Sequence, residues 1–249
     1  MTDHVTAEDV QYVDNVLADT GLPAVSRRSL LSRAAVGAAA VGGLGAFGPI
    51  SSALASGEST TEIINTAATA EALAVTYLTR LVANAPGHGI PHNLVPVLKA
   101  ANQAEYDHYK VLTGAGAQPL TKKFWIPNYF FHHKDVFPVI ETAETLFVNA
   151  YLIAITDFAQ TKQDTLARYA GEILGVEAEH RTLARFAQGK LPNNVGFEAY
   201  RYSKLSDVVG ALEKAGVGFG AKGSTPGRFY EFRAPSRHTT TRLEHNVPA

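Results

Sequence analysis

The sequence predicts an all-α protein: a four-helix bundle with a long crossover between helices 2 and 3, followed by an irregular C-terminal extension. Three observations predict it. Four stretches repeat apolar residues at helical spacing, Pro, Gly or capping residues bound them, and two short links flank one long link at residues 114–135.

Before the bundle comes sequence of another kind. Residues 1–25 are acidic and contain no Lys or Arg, and then comes "SRRSLLSRAAVGAAAVGGLGAFGPISSALASG". The pair Arg27-Arg28, the Gly- and Ala-rich apolar run and the small-residue exit Ala53-Leu54-Ala55 resemble a twin-arginine export signal cleaved after Ala55. The apolar run is shorter than the ~20 residues that span a bilayer, so no stable membrane insertion is expected. The chain is therefore divided into a signal peptide (1–55), a bundle (56–190) and an extension with a short helix (191–249). The formal net charge of −1 gives no reason to expect nucleic acid, and with no Cys there are no disulfides.

The first helix is read from about Glu62 to Asn84, ended by Pro86 and Gly87. Its apolar stripe, Ile64, Ala67, Ala74, Leu78 and Val82, is interrupted by one acid, Glu71. The second runs from about Asn93 to Thr113, with Pro91 and Asn93 suiting its start and Gly114 and Gly116 its end. Here Val97, Ala101, Glu105, His108 and Leu112 fall within an arc of about 80°, and Asp107 turns away. The third spans about Val136 to Ala159, with Asp135 as N-cap and Pro138 in the first turn. Ile140, Glu144, Phe147, Tyr151, Ile155 and Phe158 share its buried face, and Glu141 lies near the edge.

The fourth helix spans about Gln163 to Gln188, ended by Gly189 and Pro192. Leu166, Ala170, Ile173, Glu177, His180, Ala184 and Ala187 share one side, whereas Glu172 and Glu179 face the other. Short links make hairpins of helices 1–2 and 3–4. The long middle link returns the chain along the bundle, which is the ferritin-like arrangement rather than a simple up-down-up-down one. Beyond residue 190 only "SDVVGALEKAG" reads as a helix, from about Ser206.

A buried carboxylate costs several kcal/mol unless compensated, so acids and histidines on apolar stripes need a reason. Two helices carry Glu-x-x-His on the stripe, whose members are neighbours on a helix surface, and the other two carry one acid each. That inventory is the ligand set of di-iron and di-manganese carboxylate bundles. Four carboxylates carry −4 and two divalent ions +4. Glu71, Glu105, His108, Glu144, Glu177 and His180 are the expected ligands of two metal ions, Fe or Mn, which ligand type alone does not separate.

Tyr151 lies two turns beyond Glu144 on the same face and is read as core packing, support of the site's ligands or a redox role being the alternatives. His88, His92, His132 and His133 sit in connections, "FWIPNYFFHH" reads as apolar cover, and Arg228, Arg233, Arg237 and Arg242 read as a solvated or bundle-wrapping tail.

The stretches "IINTAATAEALAVTYL", "ANQAEYDHYKVL", "AETLFVNAYLIA" and "ILGVEAEHRTLAR" resemble the four helices of the ferritin-like domain family that includes plant desiccation-related proteins and exported bacterial proteins. The similarity covers about residues 60–190. It implies a di-metal carboxylate fold and a stress setting but no settled reaction and no ferritin cage; a homo-oligomer stays open, and dioxygen or hydrogen peroxide is the small substrate expected for the paired ions. The expected function is oxidoreductase or metal handling, with a manganese catalase-like peroxide dismutase and a non-enzymatic envelope scaffold as alternatives. Passage through the twin-arginine machinery would carry the folded protein out of the cytoplasm, to periplasm, cell wall or medium.

Overall fold

The protein is described by a computed structural model for residues 57–236 and Leu243. The expected signal peptide, Arg237 and Arg242 lie outside the described residues.

Helix α1 (Thr60–Ala83) starts at a capping box: the Ser59 hydroxyl accepts from the Glu62 amide and the Glu62 carboxylate accepts from the Ser59 amide. The helix therefore begins slightly before the expected Glu62. A short 3₁₀ turn, His92–Leu94, leads into α2 (Val95–Gly114). Helix α3 (Val136–Gln160) and α4 (Asp164–Ala187) lie close to their expected limits, separated by Thr161–Gln163. Asp135 provides no cap for α3; its backbone is already helical and its carboxylate faces His132 at 3.4 Å. The α1–α2 and α3–α4 pairs pack most extensively. By length and composition α3 could cross a membrane, a property shared with core helices such as this one, which packs on α4, α1 and α5.

The crossover is fixed to the bundle along α1. The Gln118 amide donates to Asn65 Oδ1 at 2.6 Å and the Leu120 amide to Thr69 Oγ1 at 2.8 Å. It then forms strand β1 (Lys123–Pro127), a feature the helix-centred reading of "FWIPNYFFHH" did not include. Its residues alternate, with Phe124 and Ile126 fully buried against the helices and Lys123 and Trp125 turned outward.

The extension is more than a tail. Helix α5 (Leu205–Lys214) packs on α3, and strands β2 (Gly218–Phe219) and β3 (Gly227–Glu231) flank β1 in an antiparallel sheet of order β2-β1-β3. Phe124 pairs with both Phe219 and Tyr230. Glycine is needed where this sheet crowds Trp125: a Cβ on Gly227 would lie 2.5 Å from the Ile126 carbonyl oxygen and 2.6 Å from Trp125 Nε1.

Two side chains fasten the start of the extension. Buried Asn149 of α3 accepts from the Arg201 and Tyr202 amides at 2.7 and 3.0 Å and donates to the Tyr202 carbonyl at 3.1 Å. Glu58, just before α1, accepts from the Leu205 and Ser206 amides at 2.7 and 3.0 Å, satisfying free donors at the α5 N-terminus. Arg228 sits within β3, so this part of the expected Arg-containing tail wraps the crossover.

Candidate metal centre

Each of the four bundle helices brings its stripe acid to one interior point. Ala67, Ala68 and Ala72 surround Glu71 on α1 with small buried side chains, leaving room for its carboxylate between the helices. Glu71, Glu105 and Glu177 are at most 1% exposed, Glu144 5%, and His108 and His180 8% each. All six expected residues therefore stand inside, and the structure brings them together.

They form two overlapping groups. Glu71, Glu105, His108 and Glu177 present donor atoms within 4.8 Å of one another, and so do Glu105, Glu144, Glu177 and His180. Glu105 and Glu177 belong to both, while Glu71 and Glu144 each belong to one. The histidines reach across the gap between α2 and α4: His108 Nδ1 lies 3.2 Å from Glu177 Oε1, and His180 Nδ1 lies 2.9 Å from Glu105 Oε1. Their contacts with the outer acids are longer, 3.7 Å from His108 to Glu71 and 3.9 Å from His180 to Glu144.

Helical phase separates these residues from their neighbours. Asp107, one position before His108, pairs with Lys110 at 2.5 Å, and Glu172 pairs with Arg168 at 2.8 Å on the outside of α4. Glu141, at the edge of α3, is engaged by Arg185 at 3.0 Å, Gln188 at 2.7 Å and Lys190 at 2.5 Å. Burial alone would raise its pKa, but these donors hold it below the ordinary value. Glu144 is thus the inward acid of α3.

Tyr151 combines the two roles open to it from the sequence. It packs in the core, as expected, yet its hydroxyl also donates a short hydrogen bond to Glu71 Oε1. The helical pattern placed Tyr151 on the face of Glu144, but its partner is an acid of another helix, which one helix's periodicity does not reveal. The connection histidines stay apart from the cluster. His88 Nδ1 lies 3.1 Å from the Phe131 carbonyl, and His132 and His133 rings lie 4.7 Å apart with His132 beside Asp135. Among the described residues they join no group of metal-binding geometry.

The electrostatics follow from burying acids beside bases. Burial raises the Glu71 and Glu144 carboxyls well above the ordinary value, and the neighbouring Glu105 and Glu177 charges push the same way. For Glu105 burial is outweighed by the close approach of His108 and His180, which holds it low. Burial disfavours the imidazolium at both histidines, but the surrounding carboxylates overcome it: His108 is raised well above 6.5 and His180 is pushed up to about 10. Protons thus balance much of the carboxylate charge when only protein atoms are present.

Protons do not satisfy the geometry. Both oxygens of Glu105 and of Glu177, one each of Glu71 and Glu144, and Nδ1 of both histidines are buried without a well-formed hydrogen bond. Buried polar atoms are normally paired, and a converging set of carboxylate and imidazole donors that face one another without well-formed hydrogen bonds fits divalent cations. Two carboxylates shared between two groups have the further property that each can bridge a pair of ions. The residues present fit a metal pair.

On the outer side of α2 and α4, a groove of about 530 Å³ has His108 and His180 at its floor. Val97, Ala101 and Ile173 contribute apolar walls, so the histidine side of the cluster is the part nearest the surface.

The family model for the ferritin-like domain matches residues 59–190. No curated protein and no solved structure shows significant similarity to the chain.

Proposed function

The chain belongs to the ferritin-like domain family, and from that premise we propose that its buried cluster is a di-metal carboxylate centre for Fe or Mn, serving an exported oxidoreductase or metal-handling protein in a stress setting. The observation that carries this reading is the convergence of buried donor atoms from Glu71, Glu105, His108, Glu144, Glu177 and His180 that face one another without well-formed hydrogen bonds. Glu71 and His108 would hold one ion, Glu144 and His180 the other, and Glu105 and Glu177 would bridge them. When bound, such a pair supplies redox chemistry toward dioxygen or hydrogen peroxide.

The chain's own residues have separate tasks. Glu105 and Glu177, fully buried and shared, keep two positive charges close together. His108 and His180 line the groove and place neutral donors on the side from which a small oxidant would approach. Protons held by Glu71, Glu144 and both histidines leave as the metals enter. Export through the twin-arginine pathway would allow the folded chain to acquire Fe or Mn before meeting Cu or Zn, which the Irving–Williams order favours at such a site.

Purification of the mature protein from its exported pool, followed by metal analysis, tests the reading. About two Fe or Mn per chain supports it, and consumption of dioxygen or peroxide by that protein then separates oxidoreductase from storage. A folded protein with far less than one Fe or Mn per chain removes the di-metal reading.

A further inference from the structure

The two halves of the cluster are built from matching parts but are not supported alike. Glu71 is held by Tyr151, which reaches across from α3. A phenol fixed on one carboxylate oxygen holds the acid in one orientation, with its other oxygen, Oε2, facing His108. Among the described residues, Glu144 receives no hydrogen bond from outside the cluster, and its Oε2 is buried without a partner.

The difference lies in one pair of residues. Tyr151 stands seven positions after Glu144 on α3, and the residue seven positions after Glu71 on α1 is Leu78. Where a second tyrosine could reach Glu144, the chain has a buried alkyl group. Space accompanies the missing donor: Leu78 lines two apolar cavities that also reach Glu144, one of about 120 Å³ that extends to His180 and one of about 40 Å³ beneath Ile126 and Phe130. One acid is thus tethered and the other has room to change its binding mode.

Resting on the di-metal reading above, we infer that the two halves differ in function: the Glu71–His108 half, positioned by Tyr151, retains its ion, whereas the Glu144–His180 half exchanges its ion and changes coordination. Outer hydrogen bonds to ligating groups commonly contribute about 10- to 100-fold in metal affinity, so the tether suffices to order the two sites. Carboxylate movement and ion exchange then occur on the side where the apolar cavities meet the cluster.

The test uses metal-free full-length mature chain titrated with Mn(II) alone, with binding followed by equilibrium dialysis and by electron paramagnetic resonance, which separates an isolated Mn(II) from a coupled pair. Wild-type protein is expected to fill in two steps, with an isolated-ion spectrum at one equivalent. Glu144→Gln should keep the tight first step, and Glu71→Gln should lose it. Tyr151→Phe, which preserves the ring, should weaken the first step about 10- to 100-fold and leave the second within about 3-fold, with helical circular dichroism unchanged.

Equal losses in Glu71→Gln and Glu144→Gln, or a Tyr151→Phe effect confined to the second step, would overturn the assignment while leaving the di-metal centre intact. A wild-type spectrum showing only coupled pairs from the first addition would do the same. Absence of any Mn(II) or Fe(II) binding to folded wild-type protein would remove the centre itself and this inference with it.

Discussion

His180 Nδ1 lies closer to Glu105 Oε1 of the facing helix, at 2.9 Å, than to Glu177 Oε2 of its own helix, at 3.3 Å. The Glu-x-x-His motif therefore does not act as a self-contained clamp. Each histidine is shared between its own glutamate and the glutamate of the other motif, and α2 and α4 are joined through their polar centre.

Because Glu177 belongs to both groups and Glu179 is exposed, their substitutions should part company completely. Glu177→Ala is expected to abolish the metal pair, and Glu179→Ala to leave metal content unchanged. Metal analysis of the two purified variants checks this, and equal loss in both would mean that the phase of α4 is wrong. Glu105 and Asp107 provide the corresponding comparison on α2.

Metal entry should release protons. The carboxyls of Glu71 and Glu144 and the imidazoles of His108 and His180 all hold their protons more tightly than free side chains do, and a ligand must shed its proton to bind. Calorimetric titration with Mn(II) at pH 7 in buffers of different ionisation enthalpy is expected to show net proton release on binding, with His180, raised to about 10, contributing one proton. Release of less than one proton would contradict this charge balance.

Stability without metal should fall as pH rises above neutral. His108 and His180 have folded values above their ordinary 6.5, so their contribution is complete below that pH and is lost as pH rises toward the folded values, about 10 for His180. Raised carboxyls at Glu71 and Glu144 act in the same direction, because the folded state holds protons the unfolded state gives up above 4.5. Glu105 has the opposite sign: its depressed value contributes stability above the ordinary carboxylate range that is lost in stronger acid. Thermal melting of metal-free protein is therefore expected to be highest between about pH 5 and 6 and to decline toward pH 9. Loading with metal should flatten that decline, and an apo melting temperature that rises steadily to pH 9 would refute the assignment.

Asn149→Ala should release the start of the extension. Three hydrogen bonds to Arg201 and Tyr202 disappear and their backbone groups lose their protein partners. A cost of about 1–3 kcal/mol is expected, read from denaturant unfolding, with faster proteolysis near residue 200. An unchanged midpoint and digestion pattern would show that the sheet alone holds the extension.

Arg27→Lys with Arg28→Lys is expected to leave a folded, Fe- or Mn-loaded precursor inside the cell. Fractionation and metal analysis check it. Export undiminished by the double substitution would argue against the twin-arginine reading of the leader.

Helical phase made the cluster legible. Glu105 with His108 and Glu177 with His180 interrupt apolar stripes, and that burial asks for a compensating charge before any coordinate is known. Tyr151 shows where such a reading stops: a period places a residue on a face but does not say which acid lies opposite. The sheet escaped for another reason. β2 is two residues long and β1 is five, too short for a periodic signal, and their pairing joins residues nearly a hundred positions apart. Asp135 is no cap because its backbone is already helical, whereas Ser59 and Glu62, three positions apart just ahead of the apolar stripe, form a capping box.

The central place of β1 in its sheet sets an order of events during synthesis. Residues 123–127 emerge early, yet both neighbouring strands, ending at residue 231, are made long afterward. All four bundle helices are complete by residue 187, so the helices that carry the six cluster residues can assemble while the crossover still lacks its flanking strands. Loop-closure entropy makes such distant pairing a late step in any case. The sheet thus closes late, together with the buried Leu205, Val208, Leu212 and Val217 that the extension adds to the core, and a nascent protein has an interval in which its four helices stand together before the crossover is locked down.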